Sequence, residues 1–193
     1  ILFTVGLLFL MTGVLITPFV MIYTHGITDA NYYQPLFGAI LVLAEAMYLM
    51  RSPHVSLAYA ANKFKEITIP AYGEAIINIA VSILLIRRFG LVGIAMGTLA
   101  GMIYRGAFHV YFTSRLIPSR PQRLFYRKLL IVLVTCVLGR VICLKIYPFT
   151  SFTISTWIMH ALIYGIINGI LFLVIAFTYF RKEITLLKKY IKR

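Results

Sequence analysis

The chain has 193 residues, 61% of them hydrophobic and 12% charged, with a mean hydropathy of +0.92; soluble domains run nearer half apolar and a quarter charged, so this composition excludes one. The net charge of +14 does not point to nucleic acid, because most Lys and Arg lie between and after the apolar runs, as membrane topology requires. Cys136 and Cys143 sit two helical turns apart on one apolar run, too far for a disulfide, and read as small packing residues.

The apolar residues cluster in runs of about twenty, the length that crosses roughly 30 Å of hydrocarbon. No run shows the ten-residue alternation of a membrane β-barrel. The expected fold is therefore all-α, a polytopic bundle of six membrane-spanning helices over about 1–23, 35–59, 68–86, 91–113, 129–147 and 155–180, with a basic tail over 181–193. The first run carries Pro18 near its end, which membrane helices tolerate as a kink. The loop 24–34 contains Asp29 and no Lys or Arg, and the second run contains Glu45, Arg51, Pro53 and His54. A short basic loop, Asn62 to Glu66, leads to the third run, and the turn Arg87–Gly90 joins the third to the fourth. The stretch 114–128 is the most basic and proline-rich, and the 181–193 tail alternates Ile184, Leu187 and Ile191 with lysines. That alternation suits a basic amphipathic helix on the inner leaflet, or an ordinary topology anchor. The chain opens on Ile1 inside an apolar run, without a Met or a basic leader, so it is expected to be the C-terminal part of something longer.

Loop charges set the expected orientation. Thirteen Lys and Arg fall in 61–67, 114–128 and 181–193, against two in 24–34, 87–90 and 148–154. The positive-inside rule puts the first set in the cytoplasm, the 87–90 turn outside and the C-terminus inside. The expected localisation is a cell membrane crossed several times, with anionic membrane lipids against the basic loops.

The hairpin Pro70–Arg105 carries the most information. Its first arm places Glu74, Asn78 and Ser82 at i, i+4 and i+8; its second places Gly93, Gly97 and Gly101 at the same spacing, with Arg105 four residues on. Each set stripes one side of a helix. Glu74 lies fifteen residues before Phe89 and Arg105 sixteen after it, so a hairpin turning there brings an acid and a base to one depth. The glycine run is the small-xxx-small pattern of close helix approach, although spacing of four drifts about 40° per step, so Gly93 and Arg105 are not expected to share one face.

Charged side chains inside a membrane are costly, which makes each a functional candidate. Glu45 falls about 15 Å into its helix, at the midplane, where it needs a cavity, a cation or a proton. Arg51 lies about 9 Å nearer the cytoplasm and reads equally as site residue or anchor. Glu74 and Arg105, expected about 10 Å inside the cytoplasmic boundary, read as a structural ion pair or as the lining of a polar cavity. Asn78 and Ser82 read as interhelix hydrogen-bonding groups. Arg140 and Lys145 read as interfacial anchors, and His160, Tyr164 and Asn168 as packing residues. No metalloprotease motif, Ser/His/Asp set or phosphate loop occurs, and the histidines at 25, 54, 109 and 160 fall on four different segments without metal spacing. No catalytic residue, metal or cofactor is expected.

The hairpin also carries a resemblance. The "NKFKE" loop, Glu74 with Ile77 and Asn78 at the start of the third run, and "FG-x-x-G-x-x-x-GT" leading to Arg105 resemble the C-terminal half of bacterial polysaccharide exporters. These are the flippases of lipid-linked O-antigen and capsule repeat units, in the multidrug/oligosaccharidyl-lipid/polysaccharide exporter superfamily. The likeness covers about Asp29 to Arg105. It implies a fold of 12–14 helices in two lobes, of which this chain would supply helices nine to fourteen, partnered by a missing N-terminal half. It also implies alternating access around a cationic cavity that receives the pyrophosphate and sugars of an undecaprenyl-linked oligosaccharide. Arg51 and Arg105 would be cavity arginines, and Glu45 or Glu74 would couple to a cation. A cation-coupled drug antiporter of the same superfamily is the alternative. Four intramembrane bases against two acids favour anionic cargo over it. A membrane-embedded glycan polymerase, ligase or acyltransferase would need a larger catalytic loop than the fifteen-residue basic stretch 114–128.

Overall fold

A computed structural model of the chain describes residues 2–117, 122–149 and 151–179. It is all-helical: α1 Leu2–Tyr23, α2 Pro35–Ala60, α3 Phe64–Phe89, α4 Leu91–Leu116, α5 Gln122–Ile146 and α6 Ile154–Tyr179. All six are long and apolar enough to cross a membrane. The 181–193 tail lies outside the described residues.

Two helices begin earlier than hydropathy predicts. Lys63 caps α3, so Phe64, Lys65 and Glu66 form its first turn instead of a loop. Helix α5 likewise starts at Gln122, seven residues before the apolar run. Lys, Arg, Gln and Glu are good helix formers, so the backbone continues where the apolar signal stops. A helix of 26 residues is about 39 Å long, and its basic first turn clears the hydrocarbon.

Consecutive helices run antiparallel. Gly13 meets Val42 and Gly38 meets Ile16 across α1 and α2; Gly93, Gly97 and Gly101 meet Leu85, Asn78 and Glu74 across α4 and α3; Gly139 meets Asn168 across α5 and α6. Gly90, at φ +55°, supplies the left-handed turn that lets α4 start one residue after α3 ends. Lys63, Lys65, Arg115, Arg123, Arg127 and Lys128 consequently gather at one end of the bundle, and the 24–34, 87–90 and 147–153 connections at the other.

The bundle can be described as two groups of three helices joined through α1, which packs on α2 as closely as on α5 or α6. Helix α4 packs closely on α3 and on α2, whereas α1, α5 and α6 pack on one another. The main joint is the α1–α2 contact, with Val5, Ala46, Met50 and Val132 forming a buried cluster between α1, α2 and α5. The α1–α5–α6 unit has its own core of Leu10, Val14, Leu15, Cys143, Tyr164 and Phe172. Both cysteines are free thiols.

The glycine ridge of α4 is packed against α3 along its whole length. A Cβ at Gly97 would lie 2.7 Å from the Asn78 carbonyl oxygen, and one at Gly101 2.9 Å from that of Glu74. Gly93 and Arg105 both reach α3, contrary to the drift expected of spacing by four. An i±4 ridge runs obliquely to its own axis, and a partner that crosses along that obliquity follows it.

Candidate functional site

Three helices bring their charges together. Arg105 Nη1 of α4 donates to Glu74 Oε2 of α3 at 2.6 Å, and Arg51 Nη1 of α2 donates to the same oxygen at 3.3 Å. The hairpin pairing expected of Glu74 and Arg105 is present, and Arg51 is a third member that hairpin geometry alone does not reveal. Arg51 is 5% exposed and its guanidinium lies over the Tyr48 ring, 4.6 Å from the centroid. Counted from the helix ends, the three residues lie about 13–17 Å from the basic end of the bundle.

The cluster holds two guanidinium groups and one carboxylate, leaving one uncompensated positive charge. Burial of that charge is costly unless water, lipid headgroup or ligand meets it. Arg105 Nε is buried without a hydrogen-bond partner among the described residues.

A chain of polar groups continues from the cluster toward the basic end, and sequence reading does not single it out. His109 Nδ1 lies 2.7 Å from the Arg105 carbonyl, which only accepts, so Nδ1 carries the hydrogen. Its Nε2 is buried and has no hydrogen-bond partner among the described residues. Thr113 Oγ1 donates to the His109 carbonyl at 2.8 Å and lies 2.7 Å from His54 Nδ1. The available signal is the i, i+4, i+8 spacing of Arg105, His109 and Thr113 on α4, which matches the glycine ridge before it.

Beside the cluster, between α2, α4 and α5, lies a cleft of about 190 Å³ lined by Met47, Met50, Arg51, Met102, Gly106 and Phe125, among others. Methionine suits such a wall because its unbranched thioether adapts to irregular apolar shapes.

Glu45 is not part of the cluster. It is exposed on α2, with Tyr48, Leu49, Ser52, Ser56 and Tyr59 exposed along the same helix at steps of three and four. The other outward faces differ: α3 exposes Ile69, Tyr72, Ile76, Ile79 and Ile83, and α6 exposes Ile158, Leu162, Ile166, Ile170 and Leu173. Those two stripes suit lipid, whereas an acid about 15 Å into a spanning helix does not. Tyr48 links the polar stripe of α2 to the cluster through Arg51.

Asn78 also stands apart from the ionic contacts. Its Oδ1 accepts a hydrogen bond from Ser82 Oγ at 3.2 Å within α3, and Ser82 also reaches the Ile94 carbonyl at 3.4 Å. Arg140, expected to anchor at the interface, instead donates to the Gly13 carbonyl of α1 at 3.0 Å and ties α5 to that helix. His160, Tyr164 and Asn168 are all buried between α6 and its neighbours. Among the described residues no group of three or more His, Cys, Asp or Glu is placed to hold a metal.

Comparison of the chain with family models, with curated proteins and with solved structures returns no match.

Proposed function

We propose that the chain is the second-lobe part of a membrane exporter that moves an undecaprenyl-pyrophosphate-linked oligosaccharide across the plasma membrane by alternating access, for surface polysaccharide synthesis. The basic ends face the cytoplasm, following the loop charges, and the C-terminus lies inside. One observation carries the reading: the Arg51–Glu74–Arg105 cluster holds an excess positive charge deep in an apolar bundle, beside a methionine-lined cleft. An anionic head on an apolar tail has both partners there. Its phosphate competes with Glu74 for Arg105, and exchange of one anion for the other couples cargo to the α2–α3–α4 unit. The polar stripe of α2 supports the same reading, as one wall of a water-filled path shared with a further lobe. The resemblance at the hairpin agrees with it.

The test is transport by the full-length protein in vesicles, using a fluorescent lipid-linked oligosaccharide, together with complementation of a flippase-null strain. Arg51→Ala combined with Arg105→Ala is expected to abolish both activities. Normal surface polysaccharide in that variant would overturn the role of the arginines.

A cation-coupled antiporter is the second reading, favoured by Glu45, an exposed acid at mid-helix on the polar stripe. Drug resistance on expression without a surface-sugar phenotype would decide for it.

A further inference from the structure

The end of the bundle opposite the basic turns carries a cavity of different chemistry. It has a volume of about 270 Å³ and is walled by the α1–α2 loop, with Phe152 of the α5–α6 loop on its side. Thr24, His25, Asn31 and Tyr32 line it above Met21. Local hydrogen bonds fix this loop. Tyr32 donates its hydroxyl to Asp29 Oδ1 at 2.9 Å, Asn31 Oδ1 accepts from the Tyr33 N–H at 3.0 Å, and Thr24 Oγ1 donates to the Val20 carbonyl at 2.8 Å. These bonds leave the Asn31 amide hydrogens, the Thr24 oxygen lone pairs and the His25 imidazole for a ligand.

Charge narrows the ligand class. The loop 24–34 contains no Lys or Arg, so nothing in it neutralises an anion. Its one acid, Asp29, already accepts the Tyr32 hydroxyl, and that bond holds the phenol above its ordinary pKa. Amide, hydroxyl and imidazole groups beside two aromatic rings suit a neutral ligand that has both an apolar face and many hydroxyls. The volume falls just below the roughly 300–1,000 Å³ of sites for drug-sized ligands, which leaves room for about one ring.

We propose that this cavity binds a single neutral sugar ring, its apolar face against Tyr32 and Phe152 and its hydroxyls bonded to Asn31, His25 and Thr24. The inference rests on the exporter reading only for the source of the sugar, a unit of the cargo's glycan on the non-cytoplasmic side. The chemistry of the cavity stands without it.

The experiment is saturation-transfer NMR on the full-length protein in nanodiscs, with methyl glucoside and N-acetylglucosamine as neutral probes and glucuronate as the charged comparator. Neutral sugars are expected to bind with Kd in the millimolar range, about tenfold tighter than glucuronate. Asn31→Ala and Phe152→Ala, on separate loops, are each expected to weaken binding about tenfold, and Tyr32→Phe, which keeps the ring, less than threefold or so. Thermal unfolding of each variant separates a lost site from a lost fold. No signal above empty nanodiscs, or equal binding in both alanine variants, would overturn the site. If sugar binding is absent while lipid-linked oligosaccharide is still flipped, the site falls and the exporter reading stands. Sugar binding that persists without flipping supports the site and counts against the exporter reading.

Discussion

The α1–α5–α6 unit and the α2–α3–α4 unit solve the same problem, packing helices where lipid offers no hydrophobic drive, in opposite ways. In the first, every polar group with a part in packing is neutral or reaches a neighbouring backbone. Trp157 Nε1 donates to the Leu15 carbonyl at 3.1 Å, Tyr164 donates to the Tyr147 carbonyl, and Asn168 Nδ2 reaches Cys143 Sγ at 3.0 Å. His160 stacks on Phe149 at 3.7 Å between centroids and lies 2.7 Å from the Thr156 carbonyl through Nδ1. The second unit packs through bare glycine backbone and then encloses two guanidinium groups with one carboxylate. The Arg105–Glu74 pair adds to the glycine backbone contact between α3 and α4. The charges tie α2, α3 and α4 together and leave an excess positive charge that the neutral contacts of the first unit do not have.

Substitutions can break or sharpen that contrast. The largest effect is expected from Glu74→Ala, which leaves the buried Arg51 and the half-buried Arg105 together without their shared acceptor; a loss of about 3 kcal/mol should register as an earlier unfolding midpoint in mixed micelles. Replacing the three together, Arg51→Met, Glu74→Leu and Arg105→Met, removes the charge cost and should restore stability to near the parent while transport stays lost. Recovery of transport along with stability would reduce the cluster to a structural clasp. Next in size is Gly97→Val, whose side chain meets the α3 backbone and should cost about 1–3 kcal/mol by the same unfolding measurement. In the α1–α5–α6 unit, Tyr164→Phe removes one hydrogen bond, worth about 0.6 kcal/mol in membrane bundles, and should leave transport unchanged. Smallest of all in stability is Glu45→Gln, expected within about 0.5 kcal/mol of the parent because the side chain is exposed. Its transport rate should nonetheless fall, and an unchanged rate would remove Glu45 from the path.

Hydropathy made the six helices legible, and the sequence spacing about Phe89 made the Glu74–Arg105 pairing legible, because a one-residue turn fixes the register of both arms. Helix ends were less legible: Phe64–Glu66 and Gln122–Lys128 are helical, yet Lys, Arg, Gln and Glu interrupt their apolar residues. Arg51 joined the pair through the packing of α2 on α4, a long-range choice that no local period encodes. The same holds for His54 and Thr113, 59 residues apart in sequence and joined by a hydrogen bond. The exposure of Glu45 depends on which face of α2 the other helices cover, a long-range choice that the helix's own sequence does not encode.

The central claim is that the α2 face beside the charge cluster is wet while the outer faces of α3 and α6 meet lipid. Single cysteines, introduced after Cys136 and Cys143 are replaced, test this most directly through their reaction rates with a charged, membrane-impermeant thiol reagent. Cysteine at 45, 52 or 56 should react quickly, and cysteine at 76, 79 or 166 should be nearly inert. Equal inertness at all six positions would contradict the claim and leave α2 as one more lipid-facing helix.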